Sequence, residues 1–138
     1  MRYMMFMYPG VPTEADWAPS ADDVAAMTRY NEELTRAGVL LALDGLHPAS
    51  EGARVSVAGG KRVVTDGPFA EAKELVGGYW IIQVKSKQEA VEWASRCPLG
   101  PDDFIEVRRV YEMSDFPADV QKAAGELSSQ PPEQTVAQ

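Results

Sequence analysis

The hydrophobic residues of this chain fall into short apolar runs separated by segments of helical periodicity. Residues 2–8 form a continuous apolar run, rich in aromatic residues and methionine, that ends at Pro9-Gly10. A run this short, bounded by turn residues, predicts a buried strand. Similar runs predict three further strands, over residues 39–43, 78–84 and 104–110.

Two segments between these runs carry the signals of helices. Ser20 precedes two acidic residues, which is typical of a helix start because its side chain can cap free amides and the helix dipole favours negative charge. Apolar residues then recur at helical spacing until Gly38 ends the helix. Ser86 and Glu89 have the spacing of a capping box, and they predict a second helix that Pro98 stops.

A β-hairpin is predicted between these elements, because residues 54–58 and 61–65 flank a Gly-Gly pair suited to a tight turn. Without the hairpin, the order of elements is β-α-β-β-α-β, the split βαβ or ferredoxin-like arrangement. The predicted fold class is therefore α+β, with the helices on one face of an antiparallel sheet. We expect the hairpin either to extend the sheet or to cap it.

The predicted domain covers residues 1–112, and residues 113–138 form a C-terminal extension with a short helix. From about residue 128 onward the chain is rich in Ser, Gln, Pro and Glu, so we expect this part to be largely disordered.

The first and central strands are apolar at nearly every position instead of alternating, which is typical of strands buried on both faces. Helices on one face leave the other face to be covered. A second copy of the chain in an isologous homodimer, a dimeric α/β-barrel type of assembly, is the simplest cover. The alternative is that the C-terminal segment folds back over the sheet.

The composition of the chain argues against several classes of binding partner and several kinds of metal or disulfide site. The net charge of −8 argues against binding to nucleic acid or to an anionic membrane surface, since both need clustered positive charge. A single cysteine and a single histidine exclude an intramolecular disulfide, a thiolate zinc cluster and a multi-histidine metal site within one chain. We see no cofactor motif and expect no cofactor. The apolar N-terminus is too short for a membrane span and lacks a cleavage site, so a cytoplasmic location is expected.

The densest cluster of charge and turn residues is the segment Asp66-Gly67-Pro68-Phe69-Ala70-Glu71-Ala72-Lys73-Glu74. It resembles the signature of the DGPF-domain family, also called YCII-related, with Ala72 where relatives often carry threonine. The resemblance extends over roughly residues 1–110. It implies the same fold, and the family has no generally established activity.

Asp66 and His47 are the candidate catalytic residues. Asp66 can bond the backbone of its own turn, or it can project as a general base or substrate anchor. His47 is either a hydrogen-bonding loop residue or a proton-transfer group, because its ordinary pKa lies near physiological pH. In related YCII-like proteins a His-Asp pair has been proposed as an active site, and the resemblance implies that His47 and Asp66 form that pair here. Many relatives carry His or Gln at the histidine position.

Four further residues are candidates for substrate binding. Arg54 and Lys73 can form salt bridges with the nearby acidic residues or hold a small anionic ligand, since guanidinium binds carboxylate and phosphate through two parallel bonds. Glu71 follows a turn where a short acid-capped helix can start. Tyr79 and Trp80 face opposite ways along a strand, so one joins the helix-side core and the other faces the predicted dimer cleft.

Two functions fit these residues. The first is a cofactor-independent enzyme acting on a small organic acid, in which His47 and Asp66 move a proton. The alternative is a non-catalytic dimeric module that binds a ligand or a protein. Relatives are often associated with extracytoplasmic-function sigma factors, so the resemblance also allows a regulatory partner.

Overall fold

The computed structural model describes residues 1–11, 14–68 and 75–127, and its main sheet has the predicted ferredoxin-like plan. Within the described chain, the order of elements along the sequence is β1 (Arg2–Tyr8), α1 (Ala21–Arg36), β2 (Leu40–Gly45), β3 (Ala53–Ala58), β4 (Lys61–Asp66), β5 (Gly78–Gln83), α2 (Lys87–Ser95), β6 (Phe104–Arg109) and α3 (Ala118–Leu127). The antiparallel main sheet has the strand order β2-β5-β1-β6. The predicted α+β class and β-α-β-β-α-β order are therefore confirmed.

The core lies between this sheet and the two helices α1 and α2. Tyr3 pairs with Ile82 and Met5 pairs with Trp80 across β1 and β5, and all four side chains are buried. Their partners from the helices and adjoining loops are Tyr30, Leu34, Val39, Val84, Ala90, Ala94 and Cys97. One face of the sheet is thus closed by helices, as the pattern of elements predicts.

The other face of the sheet, here called the open face, is apolar along β1 and β5, whereas β6 adds the charged residues Glu106 and Arg108 opposite Phe6 and Met4. It carries Met4, Phe6, Tyr8, Tyr79, Ile81 and Phe104, which follow from the register of β1 with β5 and β6. Tyr8 and Phe104 stack with their ring centroids 4.6 Å apart. Most of these side chains are half-buried, and Phe104 is 49% exposed. The continuous apolar character of the strands therefore reflects one closed face and one open face.

Both helices begin at the predicted serine caps. Ser20 Oγ accepts from the Asp23 amide at 3.1 Å, and Asp23 Oδ2 accepts from the Ser20 amide at 3.2 Å, which completes a capping box. Ser86 Oγ accepts from the Glu89 amide in the same way, at 3.1 Å. The carboxylate of Glu89 reaches one residue further back, to the amide of Lys85 at 3.0 Å.

The hairpin differs from the prediction. β3 and β4 pair with each other in a separate two-stranded sheet, so the expectation that the hairpin extends the main sheet was wrong. Every residue of both strands is exposed, which also argues against a cap buried on the main sheet. The tip is a turn at Gly59 and Gly60, whose φ angles of +57° and +77° favour glycine.

The C-terminal extension contains the short helix that the sequence predicts. Two ion pairs hold its start to the sheet, Arg2–Glu112 at 2.8 Å and Arg109–Asp115 at 2.6 Å. α3 then lies exposed through Gly125, with only Ala124 half-buried, and it makes no extensive contact with another described element. It therefore does not cover the open face. The disorder predicted from about residue 128 lies outside the described residues. No helix in the described ranges is long and apolar enough to cross a membrane.

Candidate ligand-binding cleft

A cleft of about 740 Å³ opens between the first half of α1 and one end of the main sheet. Pockets that bind small molecules commonly have volumes of this order and apolar or aromatic walls. The sheet contributes Met7, Leu43 and Trp80 to this cleft, and the helix side contributes Trp17 and Met27. The cleft therefore has the size and the lining of a small-molecule site.

A hydrogen bond of Trp17 fixes one edge of the cleft. Trp17, which precedes α1, donates from Nε1 to the carbonyl of Leu46 at 3.0 Å, and Leu46 in turn donates its amide to the carbonyl of Gly77 at 2.9 Å. These bonds join the segment before α1, the end of β2 and the start of β5 at one edge of the cleft. That edge therefore lies next to the segment that begins with His47.

Asn31 is the polar side chain that the apolar stripe of α1 carries into the cleft. Its Oδ1 accepts from Nε1 of Trp80 at 2.8 Å. An indole nitrogen only donates, so this bond uses the amide oxygen and leaves Nδ2 as a donor for another partner. Among the described residues Nδ2 has no hydrogen-bond partner, and no buried side-chain nitrogen there lacks one, so Nδ2 is accessible to solvent. Asn31 thus presents an oriented donor.

The charged groups that line the described part of the cleft are all carboxylates, those of Asp16, Asp23, Asp44 and Asp103. Asp23 caps α1, and Asp103 accepts from the amides of Gly10 and Gly100, both at 2.8 Å. No Lys, Arg or His occurs among the described lining residues. The small anionic ligand expected from the sequence stays a prediction.

Trp80 and Tyr79 divide as the strand alternation predicts. Trp80 enters the helix-side core and meets the ring of Tyr30 edge-on, with centroids 5.8 Å apart. Tyr79 pairs with Phe6 on the open face, and its hydroxyl donates to Asp44 Oδ2 at 2.7 Å. That bond to a carboxylate raises the pKa of Tyr79 above 10.0, because it stabilises the neutral phenol. The hydroxyl of this predicted substrate-binding residue is therefore engaged within the chain.

The segments of the two candidate catalytic residues lie against each other. Asp66 ends β4 opposite Ala53, and the next residue, Gly67, donates its amide to the carbonyl of Gly52 at 3.0 Å. A Cβ on Gly67 would overlap the carbonyl of Ala49, so the turn after Asp66 touches the segment that follows His47.

Asp66 and His47 are nevertheless both exposed, and neither lines the cleft. Among the described residues no hydrogen bond joins their side chains. The structure therefore brings the two backbone segments together at the rim and leaves the predicted acid–base contact a prediction.

The remaining predicted binding residues fall elsewhere. Arg54 lies on the exposed hairpin opposite Thr65, away from the cleft lining. Glu71 and Lys73 lie outside the described residues. Within the described ranges, no group of three or more His, Cys, Asp or Glu side chains is arranged to hold a metal ion.

Sequence reasoning missed the residues that form the cleft, above all Trp17, Asn31 and Asp103. Asn31 had a usable signal, because it is the one polar position in the otherwise apolar stripe of the first helix. Trp17 and Asp103 lie in connecting segments, where periodicity gives no information.

Comparisons with known proteins agree with the signature segment. An uncharacterized protein of Rhizobium meliloti (strain 1021), R00369, is 28% identical over 96 residues, which cover 68% of this chain and 77% of that protein. A solved structure of a 5-chloro-2-hydroxyhydroquinone dehydrochlorinase of Burkholderia phenoliruptrix AC1100, in complex with 2,5-dihydroxybenzoquinone, is similar over 83% of this chain and 98% of that chain, at 13% identity and a TM-score of 0.43. The model of the YCII-related domain matches residues 1–114, and the chain therefore belongs to the YCII-related domain family.

Proposed function

We propose that this protein binds a small organic molecule in the cleft between α1 and the main sheet. The observation that carries the proposal is the cleft itself, with a volume of about 740 Å³, two tryptophans in its wall and an oriented donor at Asn31. Pockets with apolar walls and a few placed polar groups are the usual small-molecule sites of proteins.

Binding is testable through the three tryptophans of the chain. Trp17 and Trp80 line the cleft, whereas Trp93 lies on α2 outside it, beside Arg96. In a ¹H–¹⁵N spectrum, a compound that enters the cleft should shift the indole signals of Trp17 and Trp80 and leave that of Trp93 in place. A metabolite library in which no compound moves the two cleft signals would contradict the proposal.

The proposed activity is a proton transfer, without a cofactor, by Asp66 and His47 at the rim of this cleft. Its support is the contact between their segments, through Gly67 and Ala49, next to the cleft edge at Leu46. Direct transfer requires hydrogen-bond reach or one bridging water. Asp66→Asn and His47→Gln should abolish turnover of a bound compound while the indole shifts on binding persist.

Binding without catalysis is the second candidate. It is favoured by the exposure of Asp66 and His47, since acid–base groups usually act in a site that excludes water. The same compounds decide between the two functions. A compound that shifts the cleft signals and is recovered unchanged after long incubation, with wild type and variants alike, would identify a binding module.

The proposed assembly is a homodimer through the open face. Its support is the row of apolar side chains that no described element covers, with Phe104 at 49% exposure, and large contiguous apolar patches are rare on monomers. Light scattering should give twice the chain mass of 15.1 kDa. Phe104→Asp should shift the mass towards the monomer, and Val91→Asp, at an exposed position of α2, should not. A wild-type monomer would refute the assembly.

A further inference from the structure

We infer that the open face recognises a second copy of this chain through two reciprocal ion pairs, in which Glu106 of each protomer binds Arg108 of the partner subunit. The inference rests on the homodimer proposed above. It adds the contacts that fix the orientation of the two protomers, and it gives a role to the charged edge that borders the apolar part of the sheet.

Glu106 and Arg108 belong to the open face. They lie two residues apart on β6, so their side chains project from the same side of the strand. The register places Glu106 opposite Phe6 and Arg108 opposite Met4, and both charged residues are exposed. Because β6 is an end strand of the order β2-β5-β1-β6, the two charges border the apolar centre of the face. An apolar centre with a polar rim is the usual anatomy of a protein–protein interface.

The other charged residues on the described strands of the open face are engaged within the chain. Arg2 forms an ion pair with Glu112 at 2.8 Å, and Asp44 accepts a hydrogen bond from a tyrosine hydroxyl at 2.7 Å. Glu106 and Arg108 form no ion pair with any described residue. Covering the open face takes both charges out of bulk water, which is unfavourable unless an opposite charge meets each of them.

Two-fold symmetry makes this acid and base complementary to themselves. In an isologous contact, residue i of one protomer meets residue j of the partner, and j meets i. A two-fold axis that crosses β6 at Val107 sets the two β6 strands antiparallel, with each Glu106 facing the partner's Arg108. An axis at either charged residue would bring identical charges together, which is unfavourable. Stacked sheets lie about 10 Å apart, a gap that these two long side chains can span from opposite sides.

The other two-fold arrangement of stacked sheets lays β6 of one protomer against β2 of its partner. The charged residue that β2 places beside Tyr79 on the open face is Asp44, so Glu106 would approach a second carboxylate. Contact between the two β6 strands instead gives each carboxylate a guanidinium, a pairing with strong hydrogen bonds. The order of charges along β6 therefore favours one orientation of the dimer.

Reversal of one charge at a time tests the pairing. Glu106→Arg leaves two arginines on the β6 rim, and Arg108→Glu leaves two glutamates. Like charges then face each other in either homodimer, so its dissociation constant, measured by sedimentation over a dilution series, should rise at least about tenfold. An equimolar mixture brings two arginines of one protomer against two glutamates of the other. We expect this mixture to form a heterodimer at least as tight as wild type, and a tagged Glu106→Arg chain to copurify the untagged Arg108→Glu chain.

Two kinds of control accompany these variants. Arg29→Glu on α1 and Glu92→Arg on α2 make the same reversals at exposed positions of the helices that cover the opposite side of the sheet. They should leave the dissociation constant unchanged, alone and mixed. The double variant, Glu106→Arg with Arg108→Glu, exchanges the two charges within one chain and should recover the wild-type dimer. Recovery also shows that the reversals leave the fold intact.

The results separate this inference from the proposed assembly. A wild-type monomer, the result expected if the C-terminal segment covers the open face, would overturn both. A wild-type dimer that responds to the reversals on β6 no more than to the helix controls would overturn the ion pairs and leave the assembly standing. Single variants that dissociate but do not associate when mixed would also overturn the pairing, since their weakness would then have another cause.

Discussion

Replacing Gly67 with alanine tests how the turn after Asp66 is held against the segment that follows His47. The added Cβ would overlap the carbonyl of Ala49, a backbone atom that cannot rotate away. The turn must then move, which also strains the bond from the Gly67 amide to the carbonyl of Gly52 at 3.0 Å. Overpacking of this kind costs about 1–3 kcal/mol.

The cost should appear locally, because β3 and β4 are exposed and form no ladder with the main sheet. An isolated two-stranded hairpin is only marginally stable, so its anchorage at Gly67 contributes to its protection. Amide hydrogen exchange along β3 and β4 should accelerate by roughly 5- to 150-fold, the factors that correspond to 1–3 kcal/mol. The ladder amides of β1 and β5 should keep their wild-type rates.

Gly52→Ala is the matched control at the other end of the same hydrogen bond. Its Cβ would lie 3.5 Å from the Ala49 carbonyl, an ordinary contact, and its φ of −129° suits any residue. We expect little change in exchange for this variant. Equal rates in the two variants, or acceleration that spreads to β1 and β5, would refute the proposed local anchorage.

Three further predictions concern other parts of the fold. Trp80→Phe removes the bond to Asn31 and part of a buried ring, and should lower the free energy of unfolding in urea by about 1–3 kcal/mol; an unchanged value would contradict the bond. The hydrogen bond from Arg2 lowers the pKa of Glu112 below its ordinary value of 4.5. The ion pair therefore stabilises the folded protein above pH 4.5, and this stabilisation is lost as the pH falls through the lowered pKa. Glu112→Gln should therefore be less stable than wild type at neutral pH and equal to it in acid, and a constant difference at all pH values would refute the linkage. Burial raises the pKa of the Cys97 thiol to about 12, so a thiol reagent should label the protein only after unfolding, and rapid labelling of the native protein would contradict the burial.

The main sheet was predictable because its signals are local. The cap at Ser20, the stop at Gly38 and the apolar runs are read from a few neighbouring residues, and the order of elements then leaves few topologies. The separation of the hairpin from the main sheet could not be predicted from local signals. Residues 53–66 predict their own pairing, but whether they also join another strand depends on groups far away in the sequence.

The cleft was less predictable than the fold. Its walls join Trp17, Asn31 and Asp103, which are separated by long stretches of chain and meet only when the sheet has formed. The sequence analysis placed candidate site residues in the charged segment that begins at Asp66, because a high density of charge in a loop can be recognised from sequence alone. A half-buried amide with one oriented donor becomes visible only when its partner, Trp80, is in place.

The closure of the hairpin has a consequence for how this protein can be altered. Ala53 and Asp66 face each other as the last pair of the β3–β4 ladder. The hairpin, here called the arm, therefore leaves and re-enters the body of the protein at neighbouring points. Lengthening or shortening the arm by matched residue pairs leaves the distance between those points unchanged. Gly59-Gly60 is therefore a suitable place to insert a peptide tag or a fluorescent domain, and the arm can change in length or surface chemistry while the four-stranded sheet keeps its register.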